Sequence, residues 1–211
     1  MSKLFVITGP SGVGKTTVAY ELLRQIPNLK KVITYTTRAP RPHEKNGIDY
    51  HFVDNETFNQ MKDKGEMFEW AQVYSQQYGS RRQDVDGLLT QGHDVLMVVD
   101  VQGAKTILAK KSDAILICLL ADSPEILINR LKQRDQGATD NFDARLAKLK
   151  DELAYSQTCQ HVITNKEGEI ERTIEQIRQI MANTWRKTRN LLSFPNLSAC
   201  PRTLISKNVF R

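Results

Sequence analysis

The sequence predicts an α/β fold: a parallel five-stranded sheet flanked by helices, interrupted by an α+β insertion. Three observations carry that prediction. Residues 4–7 (Leu-Phe-Val-Ile) form a short apolar run that leads into a glycine-rich turn, and a helical pattern follows at once. Apolar runs of strand length return at 95–99 and 114–120, each followed by a helical pattern. Strands that are apolar throughout and alternate with helices belong to parallel sheets covered on both faces. Between these runs, residues 34–93 break the alternation and read as locally α+β.

The elements follow in order. Residues 4–7 form the first strand, and the first helix opens near Thr17. A second strand is predicted over 31–35. A polar stretch rich in proline and arginine runs from 36 to 49. Short strands are expected at 50–53 and 68–73, with a small helix carrying Phe58 and Met61 between them. A strand over 95–99, a helix over 102–110 and a strand over 114–120 resume the alternation. Ser123 is placed to cap the next helix, with Pro124 at its first position and Glu125 just inside, and that helix runs to about 134. Phe142, Leu146, Leu149 and Leu153 fall on one face of a long helix. A short strand at 162–163 precedes a last helix marked by Ile170, Ile174, Ile177 and Met181.

Composition narrows the function classes. A chain of 211 residues, 40% hydrophobic and 26% charged, suits one globular domain with insertions. No apolar stretch approaches the roughly 20 residues of a membrane span. The chain runs from Met1-Ser2-Lys3 directly into the first strand, without the pattern of a signal peptide, so a cytoplasmic location is expected. Three widely spaced cysteines, Cys118, Cys159 and Cys200, argue against a disulfide framework. The net charge of +6 is concentrated at the end. From residue 185 onward there are six basic residues and no acidic ones, and setting those six aside leaves 24 Lys+Arg against 24 Asp+Glu. The balanced body argues against nucleic acid, and the basic tail leaves that partner open for the tail alone.

The turn Gly9-Pro10-Ser11-Gly12-Val13-Gly14-Lys15-Thr16 fills every fixed position of G-x-x-x-x-G-K-[ST] between a strand and a helix. That pattern is the P-loop. Glycines let successive backbone N–H groups converge on a phosphate, and the helix N-terminus adds its positive dipole end. Lys15 is then placed to reach the β- and γ-phosphates of a nucleoside triphosphate, and the Thr16 hydroxyl to ligate Mg²⁺. Asp100, at the end of a buried strand, is placed to hold hydrated Mg²⁺ through water.

The stretch from Thr36 to Val53, with Arg38, Arg41, Glu44, Gly47, Tyr50 and Phe52, resembles the guanylate kinase signature. Glu69-Trp70-Ala71, Tyr78-Gly79-Ser80, Asp100-Val101-Gln102-Gly103 and the Glu152–Tyr155 stretch (Glu-Leu-Ala-Tyr) extend the resemblance from residue 3 to about 183. It implies a P-loop kinase that transfers the ATP γ-phosphoryl group to GMP, with dGMP as a second acceptor, in purine nucleotide metabolism. It also implies site residues. Arg38, Arg41, Tyr50 and Tyr78 hold the GMP phosphate, and Glu69, Ser80, Thr34 and Asp100 read the base side. Residues 9–16 with Thr17, Arg130, Arg134 and Asn165 bind ATP. Lys15, Arg38, Arg134 and Arg145 act on the transferring group. A phosphate acceptor with a second pKa of about 6 is already ionised, so neutralisation and alignment are needed rather than a general base. A carboxylate at Glu69 can accept from guanine N1–H and N2–H₂ together, and adenine would leave it facing acceptors.

The same comparison divides the chain into a kinase-like domain over 1–184 and a basic tail over 185–211. The domain comprises a core over 1–33 and 94–184, a GMP-binding insert over 34–93 and a lid over about 134–145. One departure stands out: Val98 occupies a position that is usually acidic in the family, two before Asp100. Two other readings stay open at this point. One is a non-catalytic guanylate-kinase-like module that binds phosphorylated ligands. The other is a kinase of relaxed acceptor choice that takes IMP. Monomer and homodimer are both compatible with the sequence.

Overall fold

The computed structural model describes residues 2–134 and 142–192, with side chains placed for 2–130 and 149–188. Its elements in chain order are β1 (Leu4–Thr8), α1 (Lys15–Gln25), β2 (Leu29–Lys31), β3 (Tyr35–Thr36), β4 (His51–Phe52), α2 (Asn55–Asp63), β5 (Met67–Val73) and β6 (Gln76–Arg81). They continue with α3 (Arg82–Thr90), β7 (Asp94–Val98), α4 (Val101–Lys110), β8 (Ile115–Leu120), α5 (Pro124–Arg134), α6 (Phe142–Ser156), β9 (His161–Thr164) and α7 (Ile170–Leu192).

The core is the expected parallel five-stranded sheet, in the order β2-β7-β1-β8-β9. Alternation along β1 explains its two covers. Phe5 and Ile7 face a cluster with Val18, Leu22, Ile174, Ile177 and Met181, brought by α1 and α7. Leu4 and Val6 face a second cluster with Val85, Ala104 and Ile107, brought by α3 and α4. Both β1 faces are dry, and the order change at β1 opens a crevice at the carboxyl ends of β1 and β7, where ligands of such sheets bind.

The insertion builds its own mixed sheet, β4-β3-β6-β5. The predicted strand over 31–35 is two strands in two sheets: Lys31 ends β2 in the core, and Tyr35 opens β3 in the insertion. Uniform β propensity hid the crossing from one sheet to the other. The strand β6 and helix α3 went unread, because Gln76–Arg81 is largely polar and α3 buries only Val85.

Cys118 on β8 and Cys159 just before β9 form a disulfide, against the sequence expectation, with Cα atoms 6.3 Å apart. The register that sets Ile117 opposite His161 brings the two cysteines together, which their 41-residue separation conceals. The last helix passes residue 184 and continues to Leu192, and Trp185 meets Phe5 edge-on at 6.2 Å between ring centroids. The remainder of the basic tail, 193–211, and lid residues 135–141 lie outside the described residues.

Candidate active site

The phosphate loop leaves β1 at Thr8 and re-enters regular structure at Lys15, the first residue of α1. Gly14 makes that junction with φ of 95°, a left-handed conformation in which a side chain would be strained. A Cβ there would also stand 2.7 Å from the Asn165 amide nitrogen. Lys15 curls over the loop, its Nζ donating to Gly9 O at 2.6 Å and Pro10 O at 2.9 Å. Arg130 reaches in from α5 and donates to Gly12 O at 3.2 Å, with Glu167 3.7 Å from the same guanidinium.

Across the crevice lies a basic and aromatic pocket from the insertion. Arg38 Nη2 donates to both oxygens of Glu44 at 2.8 Å. Glu44 also accepts from the Arg41 backbone N–H at 2.8 Å and from Arg41 Nη1 at 3.2 Å. Burial pushes the Glu44 carboxyl up, but the Arg41 N–H and then the Arg38 guanidinium outweigh it and hold the group below its ordinary range. Arg38 stacks 5.4 Å from the Tyr50 ring centroid, and Tyr78 meets Tyr50 edge-on at 6.2 Å. Two guanidinium groups are therefore fixed in place by one carboxylate and a tyrosine pair.

Deeper in, a β-bulge between Met67 and Glu69 resets β5 so that Glu69 stands opposite Ser80 on β6. Glu69 is 2% exposed, and Ser80 Oγ donates to its Oε1 at 2.8 Å. Burial pushes the Glu69 carboxyl up to about 7; the Ser80 hydroxyl opposes that, and the Asp100 carboxylate adds to it. Asp100 caps α4 by accepting from Gly103 N at 2.9 Å. Gly103 gives Glu69 its room, since a Cβ there would lie 2.8 Å from Glu69 Oε2.

The two walls enclose a cleft of about 680 Å³. Ser11, Gly12, Gly14, Lys15, Thr16 and Thr17 line one side. Thr34, Arg38, Arg41, Tyr50, Glu69, Tyr78 and Asp100 line the other, with Val98 among the apolar contacts. Ser80, Gly9, Pro10, Val13, Arg130 and Asn165 are not among the lining residues. Arg134 and Arg145 fall in α5 and α6, and their side chains lie outside those described. Lys31 and Tyr20 are two cleft residues that the sequence reading did not name. Lys31 lines the cleft, donates to Asp49 O at 3.3 Å and sits 6.0 Å from the Tyr50 ring centroid. Tyr20 of α1 donates to Asp49 Oδ1 at 2.6 Å, tying the helix behind the loop to the insertion. A lysine inside a predicted core strand was the available signal for Lys31.

The family model for guanylate kinase matches residues 1–184. A guanylate kinase of Nitrosomonas europaea is 42% identical over 169 residues, covering 80% of this chain and 84% of that protein. One of Alkalilimnicola ehrlichii is 34% identical over 187 residues, covering 88% and 91%. A crystal structure of guanylate kinase from Anaplasma phagocytophilum superposes with a TM-score of 0.69 at 30% identity, covering 86% of this chain and 85% of that one. The family model, the relatives and the shared fold agree: the chain belongs to the guanylate kinase family.

Proposed function

We propose that the cleft holds ATP and GMP with their phosphates facing each other. ATP lies on the 9–17 loop and GMP lies against the 34–93 insertion. The reaction is transfer of the ATP γ-phosphoryl group to GMP, giving ADP and GDP, with dGMP as a second acceptor. The observation that carries the reading is the single cleft lined by a P-loop on one side and by Arg38, Arg41 and Glu69 on the other.

The residues divide the work. The acceptor phosphate is its own nucleophile, so the barrier lies in bringing two anions together in line. Arg38 and Arg41 offset that repulsion with permanent charges suited to bidentate contact. Tyr50 and Tyr78 fix the orientation of the acceptor phosphate. Lys15 exchanges its loop carbonyls for the β- and γ-phosphate oxygens. Ionised Glu69 accepts the two guanine donors, and Ser80 orients it from behind. Val98 offers no acceptor, so the 2-amino group depends on Glu69 and Asp100. Mg²⁺ would neutralise charge on the β- and γ-phosphates. The Thr16 hydroxyl and, through water, the Asp100 carboxylate would hold it; both are hard oxygen donors and both line the cleft. Arg134 and Arg145, at the ends of the 134–145 lid, would close over the transferring group and exclude water.

A coupled ADP-release assay with Mg-ATP against GMP, dGMP, IMP, AMP and UMP tests this reading. Turnover with GMP that is lost in Lys15→Ala and Glu69→Ala supports it. ATP binding without turnover on any acceptor would overturn it in favour of a binding module.

A further inference from the structure

We infer that Asn165 and Thr173 form a buried clasp that sets the shape of the phosphate loop from behind, so that Asn165 serves ATP by positioning the loop. Asn165 follows β9, where its backbone N–H donates to Leu120 O at 2.7 Å and extends the register of the core sheet. Its side-chain Nδ2 donates to Val13 O at 2.8 Å, inside the loop, across 152 residues of chain. Its Oδ1 accepts from Thr173 Oγ1 of α7 at 3.0 Å. Asn165, Thr173 and Val13 are 9%, 1% and 0% exposed.

The chemistry fixes the direction of each bond. Val13 O can only accept, so the amide NH₂ must face it. The amide oxygen then faces Thr173, whose hydroxyl donates. Val13 O belongs to the peptide that continues into Gly14 N–H, one of the donors a phosphate meets. Holding that carbonyl outward turns the following N–H inward, which is the condition for a phosphate nest. Gly14 completes the fit, because a Cβ there would strike the same Nδ2 at 2.7 Å. Arg130 of α5 donates to the preceding carbonyl, Gly12 O, at 3.2 Å. Two adjacent loop carbonyls are thus drawn away from the cleft by two side chains that do not line it.

The inference rests on residues 9–16 being the ATP loop, and the experiment separates the two ideas. Calorimetry on the full chain measures Mg-ATP, inorganic tripolyphosphate and GMP against wild type, Asn165→Asp, Thr173→Val and Thr173→Ser. Asn165→Asp keeps an acceptor for Thr173 but sets an oxygen against Val13 O. We expect Asn165→Asp to weaken Mg-ATP and tripolyphosphate alike, by about tenfold or more, with GMP affinity unchanged. Thr173→Val should show the same pattern at about threefold to fivefold, and Thr173→Ser should restore wild-type values. Loss of Mg-ATP binding with tripolyphosphate untouched would mean a direct contact with the base and overturn the clasp. A fall in melting temperature with unchanged ligand affinities would reduce it to ordinary packing and overturn it as well. Failure of the wild-type protein to bind either triphosphate would instead refute the loop assignment.

Discussion

Replacing Glu69 by glutamine should make the ligand-free protein more stable while crippling GMP recognition. An unfolded glutamate titrates near 4.5, whereas burial raises the folded group to about 7. The fold therefore favours the neutral acid. The stability that the neutral acid contributes is complete below pH 4.5 and is lost as pH rises through 7. A difference of about 2.5 pH units corresponds to about 3 kcal/mol at pH 8 and to under about 1 kcal/mol at pH 4.5. Glutamine has the same shape, can still accept from Ser80 and has no charge to desolvate. Glu69→Gln should then raise Tm by about 6–12 °C at pH 8 and leave it nearly unchanged at pH 4.5. The measurement is thermal unfolding from pH 4.5 to 8 without nucleotide or magnesium, paired with GMP titrations. GMP affinity should fall by about 10²-fold, because the amide replaces an acceptor with a donor facing guanine N1–H or N2–H₂. Wild-type affinity for GMP should itself weaken about tenfold per unit below pH 7. A stability gain independent of pH, or none at pH 8, would refute the claim that desolvated charge is what the site endures.

Gly103→Ala should raise KM for GMP at least tenfold and leave KM for ATP unchanged, since the new Cβ falls 2.8 Å from Glu69 Oε2 and away from the loop. Lys31→Met should raise KM for GMP about threefold to tenfold with little change in kcat, as it removes a cation from the Tyr50 side of the cleft; an unchanged KM would place Lys31 outside substrate binding. Val98→Asp should increase the kcat/KM preference for GMP over IMP about tenfold by adding an acceptor beside the 2-amino group, and an unchanged ratio in the same assay would show that Glu69 already carries that discrimination.

What the sequence made legible was whatever depends on local chain. The loop motif reads plainly because its residues are contiguous, and the central core strands β1, β7 and β8 read plainly because both of their faces are dry. The polar strand β6 did not, because its partners β5 and β3 decide its fate and its own residues show no apolar alternation. The run over 31–35 read as one strand because nothing local records that Val32 N still bonds to Leu96 O in the core while Tyr35 pairs with Gly79 in the insertion. The same limit applies within the site. Arg38 and Glu69 could be named from the family signature. That Ser80 stands behind Glu69, that Lys31 enters the cleft and that Asn165 faces the loop are consequences of register and crossing angle, which pair residues 11 to 152 positions apart.

The two walls of the cleft meet opposite electrostatic problems with opposite arrangements. On the proposed phosphate side, two guanidinium groups must be close together before a dianion arrives. Glu44 bonds to both, so their mutual repulsion and their side-chain entropy are largely settled in the free protein. On the proposed base side, Glu69 is dry, as sharp discrimination of guanine would require, and among the described residues no Lys or Arg forms an ion pair with it. The Ser80 hydroxyl and the Ser80 backbone N–H bond it directly, and Lys110 of α4, held at Phe68 O, acts on it through space. A salt bridge to Glu69 would stabilise the free protein and would compete with guanine for the same lone pairs. In the proposed complex Arg38 and Arg41 can stay paired, because phosphate can share a guanidinium with Glu44. Guanine would there take both Glu69 oxygens, which a cationic partner would otherwise occupy. The site is therefore preorganised where its charge can be shared and destabilised where it cannot, and the stability released by Glu69→Gln measures the second half of that division.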